Sequence, residues 1–259
     1  MPKLFPPSLL ENPEARTFCL QKQITDTDSL RCHLRESVCL GIDVEGCEGI
    51  GEGITSIGFA ILPPTDFLSK AFPSLPFETQ EIVEKYQIES YCFYMDGRRR
   101  RKPHPAFPYG STVKTADLER ETKAIVDGVK QRYAGKAVIL IGWHPHPREL
   151  PAIQALIPSL FQEVVGWVDV VDVTRRVCVS KQEDLAKSWP PLSDVMLSVG
   201  FSEICLPPRF CHSAGSDAIH TITILARLLT CDPDRPPIEL RRRRPLKQWQ
   251  QQQQQQPKE

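Results

Sequence analysis

Apolar positions recur along this chain with two periods, and the alternation between them marks out its elements. Ser37 to Glu45 (Ser-Val-Cys-Leu-Gly-Ile-Asp-Val-Glu) places Val38, Leu40, Ile42 and Val44 at every second position, lets Cys39 pack beside them, and stops at a glycine-rich segment. That pattern predicts a buried strand. Ile54 to Leu62 predicts a second strand, ended by Pro63 and Pro64, since proline cannot donate to a ladder. Tyr86 to Met95, with Ile88, Tyr91, Phe93 and Met95, predicts a third. Strands joined this closely most simply form an antiparallel meander. From Thr115 the period lengthens: Leu118, Thr122, Ile125, Val126 and Val129 recur at helical spacing among charges, and Gly135 closes the segment.

Beyond that amphipathic helix, Ala137 to Ile141 is the short all-apolar run of a strand buried on both faces and parallel to its neighbours. Ala152 to Phe161 predicts a helix interrupted or ended near Pro158, and Val164 to Val173 a further buried strand with Asp172 at its end. Leu192 to Val199 reads as a helix stopped by Gly200, and from Cys211 to Thr230 a polar loop passes into an apolar helix. A meander running into strand–helix–strand units gives an α/β fold, a mixed five-stranded sheet flanked by helices. Residues 1–36, with Pro2, Pro6, Pro7 and Pro13 and little periodicity, predict an extended N-terminal arm. Residues 37–231 are expected to form the domain. Residues 232–259, with Arg241 to Arg244 and a glutamine tract, are low-complexity sequence expected to be a disordered tail.

Composition narrows the function classes. The chain has 259 residues and a formal net charge of +0, so any attraction to nucleic acid has to come from local patches. Arg98, Arg99, Arg100, Arg101 and Lys102 form one such patch, which reads equally as a solvated loop, a phosphate contact or an import signal. Arg241 to Arg244 form another, read as an import signal, an RNA-contacting tail or neither. Nine cysteines, scattered without a Cys-x-x-Cys pair, and no signal-peptide pattern predict a reducing compartment, cytoplasmic or nuclear and not secreted. No apolar run approaches spanning length, so no membrane partner is expected.

Two stretches carry candidate chemistry. Asp43 and Glu45 alternate onto one face at the end of the first strand, where two carboxylates repel unless a cation lies between them. They read as a metal site or as two charges ending a strand. His212-Ser-Ala-Gly-Ser-Asp217 opens the last helix: Ser216 suits an N-cap, Asp217 falls in the first turn, and Gly215 lets the loop bring His212 back toward it. His144 and His146 lack further ligands at zinc spacing.

An Asp-x-Glu strand end, a middle motif after a Gly-His-like strand end and a late His-x4-Asp together resemble the RNase H-like DEDDh exonuclease superfamily. The wording His212-Ser-Ala-Gly-Ser-Asp217-Ala, with Pro-Tyr-Gly-Ser upstream and Asp172 closing a strand, looks most like the fungal branch named for a "good for full DEAD-box activity" member. The resemblance covers about residues 36 to 230. It implies that Asp43, Glu45 and Asp217 hold two Mg²⁺ ions, with Mn²⁺ as a substitute, and that His212 deprotonates the attacking water. One position departs from the pattern. Where the family has Asp five residues after the middle histidine, this chain has Glu149, one methylene longer and set among Pro145, Pro147 and Pro151. Glutamate ligates Mg²⁺ well, but near-octahedral geometry at about 2.0–2.1 Å tolerates little misplacement.

Two functions therefore stand side by side. One is a Mg²⁺-dependent 3′–5′ exonuclease acting on RNA or single-stranded DNA, with catalytic His212, Asp43, Glu45, Glu149 and Asp217. The other is a catalytically degenerate RNase H-like scaffold that binds RNA or an RNA-processing partner through its basic segments. Oligomeric state is not readable from the sequence.

Overall fold

A computed structural model describes residues 7–46, 53–66, 73–95, 110–145, 148–178, 190–202, 213–230 and 238–240. Its centre is a six-stranded sheet in the order β4-β3-β2-β1-β5-β6, built from β1 (Val38–Glu45), β2 (Ser56–Leu62), β3 (Glu89–Met95), β4 (Gly110–Val113), β5 (Val138–Gly142) and β6 (Gly166–Asp169). The meander is as expected: β1 pairs antiparallel with β2, and β2 with β3. The parallel half is as expected too, with β5 on β1 and β6 on β5. A sixth strand, β4, lies parallel to β3 at the edge; its Gly-Ser-Thr-Val sequence carries too little apolar pattern to announce it.

Because alternate strand residues face opposite ways, β1 feeds two separate cores. Val38, Leu40, Ile42 and Val44 pack with Ile57, Phe59, Leu140 and Trp167 on one face. Helices α1 (Pro7–Glu11), α2 (Pro13–Gln21), α5 (Leu118–Arg132), α6 (Glu149–Leu156) and α7 (Leu160–Glu163) cover that face. Cys39 joins the opposite core with Ala60, Leu62, Ile139 and Ile141. This second face is covered by α3 (Thr27–Glu36), α4 (Thr79–Tyr86), α8 (Val170–Val177), α9 (Leu192–Val199) and α10 (Ala214–Leu229). Asp43 and Glu45 share the parity of Cys39 and so face α10.

Four expectations change. Residues 7–36 are not an extended arm but three helices, two of them started by side-chain caps: Asn12 accepts from the Glu14 and Ala15 N–H groups, and Asp26 from Ser29. The proline at position 13 sits in the first turn, where its missing N–H costs nothing. The third strand begins at Glu89 rather than Tyr86, because residues 79–86 form α4, closed by Gln87 in the left-handed region at φ 54. The helix expected over 152–161 is two short helices, α6 beginning earlier at Glu149. The strand expected over 164–173 is only Gly166–Asp169; the valines after it form α8. Asp169 ends the strand and caps that helix, accepting the Val171 N–H at 2.9 Å, while Asp172 lies on the helix and accepts from the Gln23 amide at 3.3 Å. No helix among the described residues is long and apolar enough to cross a membrane.

Candidate metal centre

The approach of α10 to the sheet begins with the absence of side chains. On β2, Gly58 stands opposite Asp43, and a Cβ there would lie 2.0 Å from the Ala214 carbonyl carbon. On β1, a Cβ at Gly41 would lie 2.8 Å from the Ala218 carbonyl oxygen. These two bare positions let the first turns of α10 rest on the backbone of β1 and β2. Ser213, not Ser216, occupies the N-cap position, and its side chain makes no capping bond; Asp217 remains in the first turn, its N–H donating to the Ser213 carbonyl at 2.9 Å.

That seating brings Asp217 over the end of β1. Asp43, Glu45 and Asp217 each offer a carboxylate oxygen, and these oxygens lie within 4.8 Å of one another. Two are half-buried and Asp217 is buried. Asp43 Oδ2 is enclosed and has no hydrogen-bond partner among the described residues. Burial pushes the Asp43 carboxyl well above its ordinary range, and the charges of Asp217, Glu149 and Glu45 push it further, with Arg148 opposing them. Carboxylates crowded and desolvated in this way favour protonation unless a cation compensates them.

Glu149 reaches the same neighbourhood from the other side of β1. It is the first residue of α6, 4% exposed, and its Oε2 has no hydrogen-bond partner among the described residues. Burial pushes its carboxyl up to about 8; its own backbone N–H and Arg148 pull down, while Asp169 and Glu45 push up. It feels the charge of Glu45 and bears on Asp43, yet it is not one of the three residues whose oxygens converge within 4.8 Å.

The turn before α6 is held by a residue that the strand expectation hid. Asp169, 1% exposed, accepts the backbone N–H of His144 at 3.1 Å, and its Oδ2 lies 3.9 Å from His144 Nδ1. His144 adopts φ 53, a left-handed conformation that turns the chain through Pro145 toward α6, where Leu150 donates to the Pro145 carbonyl at 2.9 Å. Asp169 could have been found as an Asx cap between two valine runs.

His212, His146, Arg98 to Lys102 and Arg241 to Arg244 lie outside the described residues. No family model matches the chain, and no curated protein does. The β3-β2-β1-β5-β6 portion of the sheet, antiparallel across β1 to β3 and parallel beyond, is consistent, together with the acidic triad, with an RNase H-like fold.

The donor set fits a hard divalent cation. All three converging ligands are carboxylate oxygens, the type that Mg²⁺, Mn²⁺ and Ca²⁺ take. Oxygens sharing one octahedral Mg²⁺ at about 2.0–2.1 Å stand roughly 3 to 4 Å apart, a spacing that small side-chain rotations reach from the observed one. The orphaned Asp43 Oδ2 is the atom that gains most from such an ion.

Proposed function

We propose that this chain is a divalent-cation-dependent nuclease domain of the DEDDh 3′–5′ exonuclease type, hydrolysing phosphodiester bonds of RNA or single-stranded DNA with Mg²⁺, or Mn²⁺ in its place. The observation that carries the reading is the convergence of Asp43, Glu45 and Asp217 within 4.8 Å at the end of the central strand of an RNase H-like sheet. Bound metal supplies charge neutralisation for the attacking and leaving oxygens of an in-line displacement. Asp43 and Glu45 hold their carboxylates on one rigid strand, and Asp217 closes the group from a helix seated on Gly58 and Gly41. Glu149, whose carboxyl burial pushes up to about 8, stands beside this group and adds its charge only once ionised. In this reading His212, the residue before Ser213 in sequence, takes the proton of the attacking water, a role that suits an imidazole at neutral pH.

Incubating the full chain with 5′-labelled RNA and DNA oligonucleotides in Mg²⁺, Mn²⁺ or EDTA tests the proposal. Labelled products shortened from the 3′ end in metal, absent in EDTA and in Asp43→Asn, are expected. The second reading, a scaffold that binds RNA without cutting it, draws on the position of Glu149 outside the convergent trio. It wins if neither substrate is cut with either metal while the folded protein binds oligonucleotide.

A further inference from the structure

Behind Asp217 stands a histidine that the reading above does not use. His220 lies one turn further along α10, 8% exposed, and both of its ring nitrogens are engaged. Nδ1 is 3.4 Å from Asp217 Oδ1, and Nε2 is 3.1 Å from the Thr79 hydroxyl. Phe201 meets the ring edge-on, with centroids 5.5 Å apart and planes at 86°. Phe201 is itself fixed: its ring packs on Phe77 at 4.7 Å, and the segments carrying the two rings exchange backbone hydrogen bonds, Phe77 N–H to the Gly200 carbonyl at 3.0 Å and Ser202 N–H to the Phe77 carbonyl at 2.9 Å.

We propose that His220 is a positioning residue that aims the Asp217 carboxylate at the cation, anchored from behind by Thr79. The proposal rests on the metal-centre reading. An ionised carboxylate only accepts, so Nδ1 carries the hydrogen toward Asp217, and Nε2 meets the Thr79 hydroxyl. A carboxylate has lone pairs on both oxygens, so accepting this bond leaves Asp217 able to ligate. Thr79 is a firm anchor because it is the first residue of α4, whose start is locked by a reciprocal capping box between Glu78 and Glu81. The result is a chain of contacts from α4 through Thr79 and His220 to Asp217, linking parts of the sequence about 140 residues apart to one oxygen of that carboxylate. Such outer contacts fix a ligand's orientation, and their loss typically weakens metal binding by about 10–100-fold.

A histidine that merely filled space would show no preference for which nitrogen is kept, and that difference supplies the test. His220→Asn carries its amide N–H where Nδ1 stands and keeps the bond to Asp217. His220→Gln places its amide group where Nε2 stands, can still bond the Thr79 hydroxyl through its oxygen or its N–H, and loses Asp217. Mn²⁺ affinity is measured by calorimetry on the full chain, with thermal unfolding in EDTA recording the stability of each metal-free variant. Expected is near wild-type affinity in His220→Asn and a loss of about 10–100-fold in His220→Gln, at similar metal-free stability. Thr79→Val, which frees the far end of the ring, is expected to weaken Mn²⁺ by several-fold, and it keeps the proposal testable if one His220 variant does not fold. Equal Mn²⁺ affinity in Asn, Gln and wild type overturns the positioning role while leaving the metal centre intact. A wild-type protein that binds no Mn²⁺ overturns the metal-centre reading and this proposal with it.

Discussion

Glu149, like Asp43, carries a buried carboxyl whose protonation is coupled to folding. Burial pushes the Glu149 carboxyl from the ordinary value of 4.5 up to about 8 in the fold, outweighing the pull of its own backbone N–H and of Arg148. Below the first value both states hold the proton; between the two only the folded state does, so the stability this proton contributes is lost as pH rises toward about 8. The metal-free protein should therefore lose urea resistance between these pH values, and Glu149→Gln, which cannot ionise, should flatten that loss. Parallel pH profiles for the two proteins would count against a protonated buried Glu149. The side chain's length makes a separate prediction. Glu149→Asp withdraws the carboxylate by about one C–C bond, roughly 1.5 Å, and a misplacement of ~1 Å can cost ~10²-fold in rate. Nuclease activity is expected to fall by one to two orders of magnitude, whereas a gain would identify a degenerate site whose defect is this glutamate.

At the scale of elements, the site depends on how closely α10 can approach β1 and β2. Gly58→Ala forces a methyl to within 2.0 Å of the Ala214 backbone, which has no flexible end to move aside. It is expected to lift the first turn of α10, separate Asp217 from Asp43, and cost roughly 1–3 kcal/mol in denaturant unfolding together with most of the metal affinity. Gly128→Ala on α5 is the control: nothing lies within 4 Å of its Cβ, so it should stabilise by about 0.5–1 kcal/mol and leave metal binding unchanged. Equal stability effects in the two variants would show that the close approach is not what seats α10. The same elements mark what the sequence could and could not reveal. Strands β1, β2 and β5 are legible because they are short, almost wholly buried apolar runs, and helix α5 because its buried residues recur at helical spacing. Val170, Val171 and Val173 read as strand in the sequence because β-branched residues favour strands intrinsically, while the Asp169 cap and the burial of Thr174 with them decide for a helix. Asp43 and Glu45 can be picked out from the alternation of strand side chains, and Asp217 as their fellow ligand only through the resemblance. The link from His220 to Thr79 cannot, since it joins residues brought together only by the packing of α4 on α10.

For the molecule as a whole, a cation bound by the buried acids would couple metal binding to folding. Oxygens of Asp43 and Glu149 without a hydrogen-bond partner among the described residues, and the crowding of Asp43 by three other carboxylates, penalise the metal-free state at neutral pH. A cation held only by the folded chain at a concentration 100 times its Kd adds about 2.7 kcal/mol, which for a chain of this size is roughly 5–10 °C in Tm. Because ligation requires ionised carboxylates, the shift should grow between pH 5 and pH 8. A Mg²⁺-induced shift that stays constant across that range would separate the cation from the buried acids.

Calorimetric titration of the metal-free full chain with Mn²⁺ at pH 8, beside Asp43→Asn and Asp217→Asn, tests the centre most directly. Each asparagine keeps the shape of the side chain and removes one charged ligand from the convergent group. Saturable binding in the wild type, weakened at least tenfold in both variants while circular dichroism shows them folded, is the predicted result. Unchanged Mn²⁺ affinity in both variants would contradict it.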